Sequence, residues 1–244
     1  MAYPMAEYKS KLTSRKEVAV DTMAFAFQRP PRFDFKAGQF TNLTLSNPPQ
    51  TDEGGNTRTF SIASPPHENE LVFATRMRGT AFKRSLMEMP LGTEVNIAPA
   101  MGSFTLHENP AKAAVFLAGG IGITPFLSIV RQAHKECLKQ ELYLFYSNRR
   151  PEDAAFLDIL LMLGNANPYF RFIGTMTKMS TSENVWRGET GLIDREKLSR
   201  YLPSLRGPIY YVAGPPALVA GMRQILAESG VDDDHVQSED FDGY

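Results

Sequence analysis

An antiparallel β-barrel followed by a parallel α/β sheet is the fold this sequence predicts, and three observations predict it. Short alternating segments, punctuated by proline and glycine, fill the first part of the chain. Beyond Glu108-Asn109-Pro110 the chain alternates strand and helix. That second part opens on a continuous apolar run, Ala113 to Gly119, which leads into a glycine turn, GGIGITPF. The expected division is a barrel domain over residues 1–108 and an α/β domain with a Rossmann-like parallel sheet over 109–244.

In the first part, strands are expected over residues 17–28, 39–46, 57–63, 71–77 and 93–98. Phe40, Leu43 and Leu45, then Leu71 and Phe73, partly follow period two. Pro30-Pro31, Pro48-Pro49, Gly54-Gly55 and Pro65-Pro66 separate them. Strands this short and frequent suit a small barrel, interrupted by a helix over 80–89. In the second part, strands are expected over 113–119, 141–147, 169–176 and 208–213. Helices are expected over 124–138, 151–163, 194–201 and 215–229. Thr124 reads as the N-cap of the first, with Pro125 at its first turn. This alternation argues for helices on both faces of a parallel sheet.

Composition narrows the chemistry. Hydrophobic residues make up 43% and charged residues 22%, enough for a packed core. The net charge of -1 leaves no overall electrostatic footprint for nucleic acid. One cysteine, Cys137, cannot make an internal disulfide or hold an iron–sulfur cluster, and the four histidines lack metal-ligand spacing. No metal site is expected, so redox chemistry has to come from an organic cofactor. The uncharged run 113–130 approaches the length of a membrane span, but Gly119, Gly120, Gly122 and Pro125 interrupt it. With no signal-peptide pattern at MAYPMAEYKSKL, a cytoplasmic protein without a membrane span is expected. Cys137, Met87, Met162 and Met222 read as packing residues.

Two segments carry the chemistry. In RTFSIASPP, Arg58 to Pro66, a strand places Arg58 and Phe60 on one face and Thr59 and Ser61 on the other. The guanidinium can pair with a phosphate, the ring can lie against a flavin, and a hydroxyl can reach the flavin's reactive nitrogen. An ordinary amphipathic strand with a surface arginine is the rival reading. In GGIGITPF, Gly119, Gly120 and Gly122 let backbone approach phosphate oxygens, and a helix start at Thr124 and Pro125 offers amides and a positive dipole end. A tight strand–helix turn without a ligand is the rival there.

Read together, these segments resemble the ferredoxin–NADP reductase family, with markers in family order along nearly the whole chain. Phe35 to Phe40 looks like the entry to the barrel, and RTFSIASPP like the flavin signature. Phe73 to Arg76 resembles the strand lining the flavin, which implies Ala74, Thr75 and Arg76. Gly79 to Leu86 resembles the helix start at the flavin diphosphate, which implies Gly79, Phe82 and Lys83. The family usually has serine or threonine at Lys83. Pro99 to Phe104 resembles the barrel's end, GGIGITP the pyridine-nucleotide turn, and YSNRRPEDAAF the segment beside the adenosine. VAGPP, with Gly214 and Pro215, resembles a second turn beside the nicotinamide, where the family often has cysteine in place of Ala213. The ending SEDFDGY resembles family endings in which Glu239 lies near the reacting rings and Tyr244 covers or flanks the flavin.

The resemblance implies FAD on the barrel and NADPH or NADH on the α/β domain. It further implies Ser61 bonded to the receiving nitrogen, and Glu239 orienting the nicotinamide or relaying a proton. Ser147, Asn148 and Arg149, with Arg150 and Lys178 in reserve, follow strands where a 2′-phosphate would need cations, which tilts the choice toward NADP. The expected acceptor is a ferredoxin- or flavodoxin-type protein, or a small molecule. Two alternatives stay open: a reductase of free flavin, and a non-catalytic redox-sensing module. A short-chain dehydrogenase is excluded, because no tyrosine stands four residues before a lysine.

Overall fold

The computed structural model describes residues 7–241. Strands β1 (Tyr8–Ala19), β2 (Thr22–Gln28), β3 (Phe40–Leu45), β4 (Thr57–Ser61), β5 (Glu70–Arg76) and β6 (Glu94–Ile97) form one sheet in the order β4-β3-β6-β1-β2-β5. Every pairing in it is antiparallel. Its two edge strands curl toward each other: Phe60 of β4 and Phe73 of β5 have ring centroids 5.9 Å apart. Just past β4, the Ala63 N–H donates to the Val72 carbonyl at 2.8 Å. Leu12, Phe25, Phe27, Leu43, Phe73, Val95 and Ile97 fill the barrel. Helix α1 (Ala81–Glu88) closes one end by burying Phe82 and Leu86.

The expected strand over 17–28 is instead two strands joined by a turn at Val20-Asp21. No glycine or proline marks the turn in the sequence, and Asp21 takes a left-handed φ of 54°, a conformation aspartate tolerates. Most of β1 escaped the sequence reading because its inward positions include Ser10, leaving Leu12 as its one large buried side chain.

The second sheet holds β7 (Ala114–Gly119), β8 (Leu142–Asn148), β9 (Phe170–Met176), β10 (Glu189–Thr190), β11 (Ile209–Gly214) and β12 (Val236–Asp240). Its order is β10-β9-β8-β7-β11-β12, and all its pairings are parallel. Alternate residues of β7 face opposite cores. Phe116 packs with α2 (Ile123–Lys135) and α3 (Leu157–Ala166), while Val115 and Leu117 pack with α4 (Arg195–Tyr201) and α5 (Pro216–Glu228).

Several local expectations change. Helix α2 begins at Ile123 after a 3-10 turn over Gly120–Gly122, so Gly122 is the N-cap and Thr124 is not. The Thr124 hydroxyl instead donates back to the Ile121 carbonyl at 3.1 Å. The helix expected over 151–163 is split into a 3-10 turn at Pro151–Asp153 and α3, because Phe156 adopts φ 60° between them. Cys137 is exposed beyond α2 with φ 53°, and Met87 and Met162 are exposed as well; only Met222 packs in a core.

The two sheets share one apolar contact. Ala63 and Phe104 from the barrel side lie in the same buried cluster as Phe126 and Ile129 of α2. There the Ser128 hydroxyl donates to the Ser64 carbonyl at 2.8 Å. At the other end of the contact, the Val20 N–H donates to the Glu152 carbonyl at 2.9 Å. These bonds fix the β4–β5 end of the barrel against the glycine turn. Among the described residues no helix is long and apolar enough to cross a membrane.

Candidate functional site

The glycine turn lies at the end of β7, where strand order reverses between β8 on one side and β11 on the other; crevices at such points receive ligands in open parallel sheets. Here two turns meet backbone to backbone. A Cβ on Gly122 would stand 2.4 Å from the Ala213 carbonyl oxygen. One on Gly214, whose φ is 153°, would stand 3.0 Å from the Gly119 nitrogen. Only glycine permits this approach. The buried Tyr146, which sequence reasoning passed over, donates its hydroxyl to the Gly120 carbonyl at 2.9 Å and pins the turn. Pro125 is buried inside α2, and Pro215 precedes α5 as its N-cap.

Across from this turn, β4, β5 and α1 complete a cleft. Thr59, Phe60, Ser61, Ala74, Thr75, Arg76 and Lys83 line it from the barrel, and Ile121, Thr124 and Phe241 from the parallel sheet, around a cavity of about 80 Å³. Roomier hollows exist, such as a groove of about 590 Å³ beside Phe35, Leu106 and Ile129, but it contains none of the site residues expected from sequence. Ser61 is buried at the end of β4. The Thr59 hydroxyl donates to Asn42 Oδ1 at 2.7 Å. Phe82 does not reach the cleft; it is a core ring beneath Phe60 and Arg58. The Gly79 carbonyl accepts a bond from Arg84.

Phe241 was not singled out in the sequence. Its backbone N–H donates to the Gly214 carbonyl at 3.0 Å, and this brings the C-terminal stretch into the cleft. Tyr244 lies outside the described residues. Glu239 sits on β12 opposite Ala213, so the expected carboxylate comes beside the second turn. Burial pushes its carboxyl up to about 7.

Positive charge dominates the barrel side. Arg76 carries a buried Nε with no hydrogen-bond partner. Burial and the neighbouring Arg78 and Arg58 guanidiniums lower the Lys83 ammonium below the usual lysine range. Such a set suits an anion with several oxygens, as a dinucleotide diphosphate is. Arg58 itself is folded onto the turn that precedes it. Its Nη1 donates to the carbonyls of Gly55 and Thr57 at 3.0 and 2.8 Å, and its Nη2 contacts Asp52 Oδ1 at 3.1 Å.

At the ends of β8 and β9, Asn148 is buried with both amide atoms unpaired. The exposed Arg149 and Lys178 are joined there through a backbone bond of 2.8 Å. Arg150 is not available as a reserve cation, because Asp153 holds it through two bonds of 2.8 Å. The same guanidinium keeps the Asp153 carboxyl below the usual range. Among the described residues no metal-binding group of His, Cys, Asp or Glu is found.

The arrangement defines a class: an antiparallel barrel joined to a nucleotide-type parallel sheet, with the expected site residues of both halves gathered at a cleft between them. Residues 116–224 match the model of the oxidoreductase NAD-binding domain. The chain is 25% identical to the reductase component of propane 2-monooxygenase from Rhodococcus jostii (strain RHA1), covering 98% of this chain and 64% of that one. It is 26% identical to ferredoxin–NADP reductase B from Sorangium cellulosum (strain So ce56), covering 96% and 98%. Its fold superposes with a TM-score of 0.79, at 23% identity, on a ferredoxin NADP⁺ reductase from Neisseria gonorrhoeae with bound FAD and NADP, covering 96% and 98%. Over nearly its whole length the chain is thus similar to ferredoxin reductase-like proteins, and its second half matches an oxidoreductase NAD-binding domain. It spans 60 to 64% of the length of the oxygenase reductase components it matches first.

Proposed function

We propose that the chain is an NAD(P)H-dependent flavoprotein reductase that passes electrons through FAD to a separate acceptor. The observation that carries this reading is the convergence of both motifs on one cleft. Bound FAD and reduced nicotinamide supply the electron transfer itself; the protein supplies proximity and alignment. Residues 1–108 form the flavin half and residues 109–244 the nucleotide half.

On the barrel, the start of α1 and Arg58, with Arg76 and Lys83 nearby, hold the diphosphate of FAD, and the buried Ser61 offers its hydroxyl to the flavin ring. Phe60, Ala74 and Thr75 bound the ring's seat. The cavity of about 80 Å³ is smaller than the roughly 300 Å³ and above typical of ligand pockets. Seating a three-ring system therefore requires a wall to give way. Phe241 is that wall, held by a backbone bond to the Gly214 carbonyl at the end of its strand. On the parallel sheet, Gly119, Gly120, Gly122 and Gly214 admit the nucleotide diphosphate to backbone amides, and Asn148 meets its adenosine. Arg149 and Lys178 favour a 2′-phosphate, and so NADPH over NADH. Glu239, protonated below about pH 7, holds or relays a proton beside the nicotinamide.

The acceptor is a ferredoxin- or flavodoxin-type protein. Relatives named as reductase components of oxygenases support a partner of this kind. A cytoplasmic setting belongs to the same reading. Anaerobic mixing with NADPH or NADH tests it: the flavin's yellow absorbance should bleach, faster with NADPH, and recover when an acceptor is added. A flavin that stays yellow with both nucleotides would leave a binding module without reductase activity.

A further inference from the structure

We propose that Asp52 is an internal stand-in for the diphosphate of FAD: its carboxylate takes the seat on α1 and Arg58 that the diphosphate requires, so the two compete. The proposal rests on the flavin reading above. Asp52 Oδ2 accepts the Ala81 N–H at 2.8 Å, at the first residue of α1. Its Oδ1 accepts from Arg58 Nη2 and from the Gly54 N–H, each at 3.1 Å. Arg58 Nη1 meanwhile donates to the Gly54 and Gly55 carbonyls at 2.5 and 3.0 Å. One short turn thus uses the helix start and the guanidinium, the two groups whose chemistry suits phosphate oxygens.

The Ala81 amide, with Arg58 behind it, keeps the Asp52 carboxyl below the usual range, so it is ionised at neutral pH. A second anion cannot share that seat without repulsion. The turn is built to leave it. Its far end is anchored to β3 by the bonds of Asn56 to Leu45, both 2.9 Å, and its near end by Gln50 to Arg84 at 3.2 Å. Between those anchors Gly54 and Gly55 supply a hinge, with Gly55 already at φ 68°. Swinging the turn away would take Asp52 and the Gly54 and Gly55 carbonyls off Arg58 together, leaving it only the neighbouring Thr57 carbonyl. A chain that competes with its own cofactor's diphosphate retains FAD less firmly, and riboflavin, which has no phosphate, is indifferent to the competition.

The test is titration of FAD and of riboflavin into the flavin-stripped full chain, followed by flavin fluorescence, for wild type, Asp52→Asn and Glu53→Gln. Asparagine keeps an oxygen for the Ala81 N–H while removing the charge. Glu53 is exposed in the same turn and serves as the charge control. Asp52→Asn should bind FAD on the order of tenfold more tightly and riboflavin unchanged. Inorganic diphosphate should compete with FAD better on that variant, and Glu53→Gln should match wild type. Equal or weaker FAD binding by Asp52→Asn, or an equal gain for riboflavin, overturns the proposal. If neither wild type nor Asp52→Asn binds FAD, the flavin reading fails, and the proposal falls with it.

Discussion

On the barrel side of the cleft the groups proposed to meet the ligand are side chains: Arg76, Lys83 and Ser61 in the lining, with Arg58 folded onto the neighbouring turn. On the parallel-sheet side the proposed contacts are backbone amides, in two turns that glycines allow to pack against each other. A site made of side chains is adjusted by charge and can be emptied one group at a time. A site made of backbone has no group to remove; it fails when an atom is added. The two halves should therefore respond to opposite kinds of substitution.

The largest effect should come from addition. Gly122→Ala places a Cβ 2.4 Å from the Ala213 carbonyl oxygen and forces the two turns apart. The strain costs about 1–3 kcal/mol, and kcat/KM for the nucleotide should fall by about a hundredfold. If stopped-flow reduction of the variant matched wild type, the backbone account of this half would be broken.

Removal should act on the other half. Arg76→Met should weaken FAD binding by roughly tenfold to a hundredfold and leave nucleotide affinity alone, as fluorescence titration of each ligand would show. Lost nucleotide binding in that variant would mean the halves are not separable.

A smaller effect sharpens the contrast, because one part of the nucleotide half does depend on side chains. Arg149→Gln with Lys178→Gln should raise KM for NADPH by about tenfold and leave NADH unchanged. Equal loss for both nucleotides would place these cations elsewhere than at a 2′-phosphate.

The smallest expected effect concerns Glu239. Its folded carboxyl is raised to about 7 from an ordinary value of 4.5, so the fold favours the neutral form. Stability is then given up as pH rises from about 4.5 to about 7 and stays lost above that. Glu239→Gln should raise Tm relative to wild type at pH 8 and make no difference at pH 4. The reduction rate should lose any inflection near pH 7. An unchanged inflection would assign it to another group.

How much was legible follows the same division. The glycine turn could be read because its signal is local: an apolar strand, glycines and a helix within one short stretch. The cavity-lining strands β4 and β5 could be read from alternation and the RTFS residues. What escaped depends on long-range partners. The Asp52 turn read only as Gly54-Gly55 punctuation, since its partner Ala81 lies 29 residues further along the chain. Strand β12 is polar along its length and becomes a strand only by pairing with β11. Tyr146 read only as the start of YSNRRPEDAAF, since the Gly120 carbonyl it holds lies 26 residues back along the chain. Phe82, named from resemblance, proved to be core, because on α1 its face turns to the barrel interior.

The cluster that joins Ala63 and Phe104 to Phe126 and Ile129 leaves no solvated seam there along which the chain could be parted. A cut near residue 108 would strip cover from both fragments at once, exposing greasy faces that favour clumping over independent life. Transplanting either half onto a foreign partner would thus mean carrying the mating surface with it, or repainting that surface with polar groups first.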